Sequence, residues 1–167
     1  IVKCKLVYVD SIMEQQPLTH ELLIRLINLC LDRSSDTAYD AECEVFRLLR
    51  SEFEMMLDIL ANIVMDSMQS VKTRCFALII LKNGITSSIS ISIKQLNAAW
   101  SNLDGVIKEK VKMAILSGLA SGVEEVCGVC SSMFPLIYNL ERGDSFGFMQ
   151  QLCSELDNPE GQYVSKV

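Results

Sequence analysis

The sequence is poor in the residues that interrupt regular structure. Only three prolines and eight glycines occur in 167 residues, which argues against long irregular loops. Aromatic residues make up 7%, so the hydrophobic half of the composition is mainly Leu, Ile, Val, Ala and Met, a mixture that suits packed helices. No apolar run approaches the roughly 18 residues of a membrane span, so no membrane insertion is expected.

The charge and the cysteines restrict the expected partners and compartment. The net charge is −6 and the pI about 4.8, and such an acidic surface repels phosphate backbones, so no nucleic acid is expected as a partner. The seven cysteines are an odd number spread through apolar stretches. This distribution predicts small buried thiols in a reducing compartment rather than a disulfide framework.

Little in the sequence supports catalysis or cofactor binding. It has no Gly-rich phosphate loop of the kinds that hold nucleotide cofactors, so none is expected. The only histidine, His20, stands at a predicted helix start without a nucleophile beside it. Cys127 and Cys130 have the C-x-x-C spacing, which leaves a small thiol redox enzyme as an alternative of another class. Because no strand precedes them and no second ligand pair completes a zinc site, we expect two small buried residues, no metal and no enzymatic activity.

Apolar residues recur three and four positions apart along most of the chain, which predicts successive α-helices. Thr19 and Asp104 are expected to cap two of these helices at their N-termini. Ser51 and Ser121 each stand three residues before a glutamate, a spacing that predicts capping boxes. The clearest periodic positions are Leu22, Leu23, Leu26, Ile27, Val45, Leu48, Leu49, Met56, Leu57, Leu60, Val64, Leu78, Leu81, Val111, Ile115, Val126, Phe148, Met149, Leu152 and Leu156.

Other residues predict where these helices end. Asp66-Ser67 is expected to end one helix and cap the next, and Gly84 is expected as a left-handed C-cap residue. Pro135 is expected to kink or end a later helix. Residues 88–93 alternate Ser and Ile, which by rule predicts a strand. Because no comparable second strand exists for pairing, we interpret this segment as a linker.

The chain is expected to hold one repeat array between two irregular ends. We predict a poorly ordered N-terminal extension over 1–19, HEAT-like helical repeats over 20–157 and a tail over 158–167. Met13 is a plausible natural start, so the first twelve residues are interpreted as an upstream extension, or the whole chain as a fragment.

The predicted helices fall into pairs near 20–53, 53–87 and 93–140, an interval close to the roughly 40 residues of helical-hairpin repeats. A single pair cannot bury its apolar face, so stacking of neighbours into a solenoid is the favoured architecture. A compact helix bundle uses the same helices and stays open as the structural alternative.

Several short motifs occur in an order that points to one family. Ala77–Asn83 reads ALIILKN and fits an A-x-x-L-K-N signature, and Trp100 is followed by Lys108–Lys112. Asp40–Leu49 has small residues before a bulky pair, and Asn139–Asp144 has the composition of an inter-repeat turn. Together these motifs resemble the N-terminal helical repeats of the importin-beta (karyopherin-beta) nuclear transport receptors.

The resemblance covers most of the chain and implies both a fold and a function. The implied fold is an all-α, right-handed α-α superhelix of about four HEAT-like hairpins, as part of a longer solenoid. In this family the N-terminal repeats bind the small GTPase Ran in its GTP form on the inner, concave surface, which the second helix of each pair builds. The outer helices offer grooves to Phe-Gly nucleoporins, and cargo or an importin-alpha-like adaptor binds only through a longer chain.

The resemblance also implies localisation in the cytoplasm, the nucleus and the nuclear pore. A generic HEAT or armadillo interaction scaffold with another partner is the alternative within the same structural class.

Candidate contact residues follow from the same resemblance. Lys82 and Asn83 are expected to meet Ran, although a lysine and an asparagine in these positions also suit an ordinary helix C-terminus. Arg74, placed on the polar side of the same helix, is a second candidate. An acidic stripe is expected to meet basic residues of the GTPase, and it consists of Asp40, Glu42 and Glu44. Trp100 and Leu81 are expected to be structural, with Trp100 as a packing anchor between repeats.

Overall fold

The structure is a computed structural model that describes residues 17–87 and 100–141, with single helical positions at 147, 150 and 154. Its described helices are α1 (His20–Leu31), α2 (Ala38–Ser51), α3 (Phe53–Met65), α4 (Val71–Ser87), α5 (Gly105–Leu119) and α6 (Glu124–Leu140). Residues 100–102 are also helical, and no strand occurs among the described residues, so the all-α prediction is confirmed. The Ser-Ile segment at 88–93, residues 1–16 of the predicted N-terminal extension, the predicted tail at 158–167 and most of the last predicted helix lie outside the described residues.

The helices pack in consecutive pairs, and each pair stacks on the next. Within pairs, α1 packs on α2, α3 on α4 and α5 on α6. Between pairs, the first helices meet through α1–α3 and α3–α5, and the second helices meet through α4–α6. This arrangement is that of HEAT-like helical hairpins, in which each pair buries its apolar face against its neighbours.

One continuous core runs through the stack. Its fully buried members come from every described pair: Leu23, Ile27, Met56, Leu57, Leu60, Ile63, Leu78, Leu81, Ile85, Ile115, Met133 and Ile137. Burying each of these side chains contributes roughly 1.5–3 kcal/mol relative to leaving it exposed. α3 is buried along most of its length because it lies between α4 and α5.

The caps agree with the sequence at two helix starts and differ at the others. Thr19 accepts from the Leu22 N–H at 3.2 Å and Asp104 from the Val106 N–H at 2.7 Å, as predicted. The capping box expected at Ser51 is wrong, because Ser51 is the last residue of α2 and its hydroxyl donates to the Arg47 carbonyl. The box expected at Ser121 is wrong as well, because its hydroxyl donates to the Gly118 carbonyl and accepts from the Val123 N–H at 3.3 Å instead of from Glu124.

The start of α4 is also displaced from its prediction. Asp66 ends α3, as predicted, but it caps the turn by accepting from the Met68 N–H at 2.9 Å. The residue that caps α4 is Ser70, whose hydroxyl accepts from the Thr73 N–H at 3.1 Å. A serine three residues later than expected therefore supplies the cap.

Gly84 does not end α4. The helix continues to Ser87, and Gly84 lies inside it against Leu49 of α2, where an added Cβ would come 2.9 Å from a Leu49 methyl carbon. Glycine here permits the close approach of two helices instead of a left-handed turn. Burial of Ile85 beyond it favours the extra helical turn.

Pro135 does not end α6, which runs on to Leu140. Met133 and Ile137 on either side of it are fully buried, so packing holds the helix together across the proline. Pro135 itself is exposed, so water can reach the carbonyl that loses its helical donor.

Candidate functional site

Lys82 lies inside α4 and reaches sideways to the neighbouring pair. Its Nζ donates to the Ser132 hydroxyl of α6 at 2.9 Å, on the exposed side of both helices. Asn83, the next residue, is exposed, and Leu81 before it is fully buried. The interpretation of Lys82-Asn83 as a helix C-terminus is wrong, since α4 continues beyond both residues. The motif thus combines one core residue with two surface residues in mid-helix.

Arg74 does not lie on the polar side of α4, as the sequence suggested. Its side chain is buried, and its Nε donates to the Val64 carbonyl at 2.8 Å. Val64 belongs to the last turn of α3, where carbonyls have no helical donor of their own. Arg74 therefore joins the end of α3 to the start of α4 and is placed for stability of this pair.

The three acidic residues of α2 do not form one stripe. Asp40 and Glu44 are four residues apart and share a face, whereas Glu42 is two residues from each and projects from the opposite side. Glu42 is exposed, while the other two are half-buried. Glu44 accepts from Arg47 through both carboxylate oxygens, at 2.7 and 2.5 Å, so its charge is already paired.

An open groove of about 590 Å³ lies along the C-terminal half of α2. Its described lining consists of Cys43, Phe46, Arg47, Arg50 and Ser51. Phe46 is exposed, and Leu49 beside the groove contacts Gly84 of α4. α2 therefore approaches α4 at Leu49 and Gly84, and the Lys82–Ser132 hydrogen bond joins α4 to α6.

Trp100 is part of a buried polar network near the end of α6. The ring is 4% exposed, and its Nε1 donates to Glu141 Oε1 at 2.7 Å. The other Glu141 oxygen lies 3.5 Å from Nζ of Lys112, a buried lysine of α5 that also pairs with Glu109 at 2.5 Å. Burial opposes the charge of Lys112, but hydrogen bonds and ion pairing with Glu109 and Glu141 outweigh it and raise the pKa of Lys112.

The prediction of small buried thiols is confirmed for Cys130 but not for Cys127, which is half-buried, nor for Cys43, which is exposed. Cys130 is fully buried, and burial raises its pKa to about 12. A redox-active cysteine needs the opposite, a lowered pKa that supplies thiolate at neutral pH. Across the described part of the chain, no group of three or more His, Cys, Asp or Glu side chains is placed to hold a metal ion.

Sequence reasoning missed the buried charges. Lys112 and Glu141 stood inside recognised motifs, but nothing local showed that their side chains would meet. Lys112 lies four residues after Lys108 and directly follows buried Val111, which was the available signal for partial burial.

The described helices include none with the length and apolarity needed to cross a bilayer.

Comparison with known families gives one match. The family model of the importin-beta N-terminal domain matches residues 50–121, from the end of α2 through α5. Searches of curated proteins and of solved structures gave no match. The matched segment contains Leu81-Lys82-Asn83, Trp100 and Lys112, so the resemblance noted in the sequence is confirmed over these residues.

Proposed function

We propose that this chain, which carries the importin-beta N-terminal domain over residues 50–121, is the part of a nuclear transport receptor that binds Ran in its GTP form. The family match is the observation that carries the proposal. It covers α3, α4 and α5 and therefore the Leu81-Lys82-Asn83 motif assigned to the GTPase contact. No covalent chemistry is involved, because recognition depends on surface complementarity alone.

The proposed Ran surface consists of the second helices of the stacked pairs. Lys82 and Asn83 lie on its α4 section with accessible polar atoms, and Lys82 bridges to α6. On α2 it presents Phe46 and Arg50 at the open groove. Arg47 pairs with neither Asp40 nor Glu42, and because these two lie on opposite sides of α2, only one of them can belong to this surface. Arg74 stabilises this surface indirectly, because its hydrogen bond to the Val64 carbonyl holds α3 to α4.

The first helices are proposed to contact Phe-Gly nucleoporins. Met55 of α3 and Met113 of α5 are 48% and 38% exposed, and these helices pack side by side. An ion pair between Asp58 and Lys110 crosses between them. Exposed methionines adapt to aromatic side chains at low cost, which suits repeated weak contacts with Phe-Gly segments.

Ran and Phe-Gly binding together imply movement between cytoplasm and nucleus through the pore. Cargo or an importin-alpha-like adaptor is proposed to bind only through further repeats of a longer protein. Each repeat contacts only its neighbours, so binding on the second helices can change the angle between pairs without unfolding either one.

Binding of purified chain to immobilised Ran tests the proposal. Ran is loaded with a non-hydrolysable GTP analogue in one sample and with GDP in the other, and the two affinities are compared. The GTP form is expected to bind at least tenfold more tightly. Equal affinity for both forms, or no binding at micromolar concentration by a chain with a helical circular dichroism spectrum, would contradict the proposal.

A further inference from the structure

Asn83 and Gly84 form an Asn-Gly pair in the last part of α4, which ends at Ser87. Asn83 is exposed, whereas Gly84 is buried against Leu49 of α2. The local preference of such a pair is to end a helix, because glycine readily takes the left-handed conformation that closes one. Packing overrides this preference, since Ile85 is 2% exposed and holds the last turn in the core. The turn that follows Asn83 therefore depends on tertiary contacts more than on its own sequence.

An Asn-Gly pair also carries the atoms for a reaction within the chain. The backbone nitrogen of Gly84 attacks the side-chain carbonyl carbon of Asn83, and the new C–N bond closes a five-membered succinimide ring. The side-chain nitrogen leaves as ammonia and takes the proton of the attacking nitrogen with it. Water then opens the ring at either carbonyl and gives aspartate or isoaspartate. Glycine favours the attack because it has no side chain to shield its nitrogen.

The intact helix prevents this attack. In an α-helix the Gly84 N–H donates to the carbonyl of Ile80, four residues earlier, so the nitrogen is already engaged. Closing the ring also requires Asn83 to leave helical backbone angles. Both conditions are met when the last turn of α4 unwinds. Opening of a helix end needs less free energy than global unfolding, so the reactive state is reached locally.

We propose that Asn83 is a modification site, which deamidates through a succinimide when the last turn of α4 unwinds. The inference rests on Asn83, Gly84 and Ile85 and does not depend on the proposed function. The product replaces a neutral amide with a carboxylate at an exposed position next to Lys82. In the isoaspartate product the backbone is also one atom longer, which disrupts the helical hydrogen-bond pattern after residue 83.

Peptide mapping by mass spectrometry measures the reaction, because the change from amide to acid alters the mass of the peptide. The chain is incubated at pH 8.5 and 37 °C, once folded and once in urea. Asn102 is the internal control, since it is also exposed but precedes the bulky residue Leu103. In urea, Asn83 is expected to convert at least tenfold faster than Asn102. In the folded chain, Asn83 is expected to convert at least fivefold more slowly than in urea.

Two isoleucine variants distinguish local unwinding from global unfolding. Ile85→Ala removes the side chain that holds the last turn of α4 in the core. Ile115→Ala makes the same change at a fully buried position of α5 and is the matched control. Conversion of Asn83 in the folded state is expected to be at least threefold faster in Ile85→Ala and to change by less than twofold in Ile115→Ala. Circular dichroism with thermal melting confirms that both variants are folded.

Three results would overturn the inference. Conversion of Asn83 no faster than that of Asn102 in urea would remove the site itself. Equal rates for the folded chain and the chain in urea would remove the protection by the helix. Equal acceleration by the two isoleucine variants would replace local unwinding with global unfolding. None of these results bears on the preference for GTP-loaded Ran, so the proposed function is tested separately.

Discussion

Trp100 donates its indole N–H to Glu141 across 41 positions of sequence, at 2.7 Å. The same carboxylate faces the buried ammonium of Lys112 through its other oxygen, 3.5 Å away. The Glu141 carboxylate at the end of α6 thus accepts the hydrogen bond of Trp100, just before α5, and faces the charge of Lys112 within α5. These contacts hold Trp100 against the third described pair, α5 and α6.

Replacing Trp100 separates packing from hydrogen bonding. Trp100→Ala is expected to destabilise the chain by roughly 3–5 kcal/mol, because a large buried ring is lost. Trp100→Phe keeps much of the packing but leaves Glu141 one donor short, and roughly 1–2 kcal/mol is expected for it. Urea unfolding followed by circular dichroism measures both changes. A loss below about 1 kcal/mol for the alanine variant would show that the ring contributes little to the core.

Reversing the charge at Lys82 should affect binding far more than folding. Lys82→Glu removes the proposed charge-assisted contact and is expected to weaken binding to GTP-loaded Ran by roughly 1–3 kcal/mol. Part of that loss should fade with added salt, since screening weakens exposed charge pairs. Arg25→Glu, at an exposed position of α1, makes the same change of net charge and serves as the control. Equal losses from both variants would reduce the effect to net charge alone.

Two glycines in neighbouring helices should respond oppositely to alanine. At Gly118 an added Cβ would lie 2.3 Å from Cys130 Sγ and 3.3 Å from a Val126 methyl carbon, so Gly118→Ala overpacks the α5–α6 contact. The expected cost is roughly 1–3 kcal/mol. At exposed Gly128 alanine meets nothing, and its better helix propensity should stabilise by up to about 1 kcal/mol. Melting temperatures of the two variants, compared with the unmodified chain, check the contrast.

Stability should fall in alkaline solution. Burial raises the pKa of Cys130 from an ordinary 9.0 to about 12 and, with the charge of Glu42, that of Cys30 to about 11. Above pH 9 the folded chain therefore keeps thiol protons that the unfolded chain releases. The stability that these protonated thiols contribute is complete below pH 9 and is lost as pH rises towards 11–12. The raised pKa of Lys112 acts in the same direction, above the ordinary lysine range.

Urea midpoints at pH 8 and pH 10.5 measure this loss. Cys130→Ala lowers stability at pH 8 through lost packing, but the drop between the two pH values is expected to be smaller than in the unmodified chain. An identical drop in both proteins would remove Cys130 as its source.

The periodic apolar positions predicted the helices well because each helix buries one face. Leu22, Leu57, Leu78 and Val111 are all buried as their spacing indicates. Helix ends were predicted less well, since local signals compete with packing between helices. Gly84 has the local preference of a terminator, yet contact with Leu49 and burial of Ile85 carry α4 onward.

The candidate surface was predictable only in part. The motif identified half-buried Lys82 and exposed Asn83, but it did not show that Ser132, 50 positions later, is the neighbour of Lys82. Arg74 was placed on the wrong side because a long polar side chain can bury its stem and still satisfy its donors at a helix end. Such pairings depend on the distance between helices and on their register, which no local pattern contains.

The close approach of Gly118 and Cys130 also gives the chain an internal probe of opening within the pair formed by α5 and α6. Cys43 is exposed on α2, whereas Cys130 is buried against α5 and has a pKa raised to about 12. An alkylating reagent should therefore modify Cys43 at once and Cys130 only when α5 and α6 move apart. Mass spectrometry of the two peptides over time would then report how often this pair of helices opens, in the unliganded chain and with a partner bound.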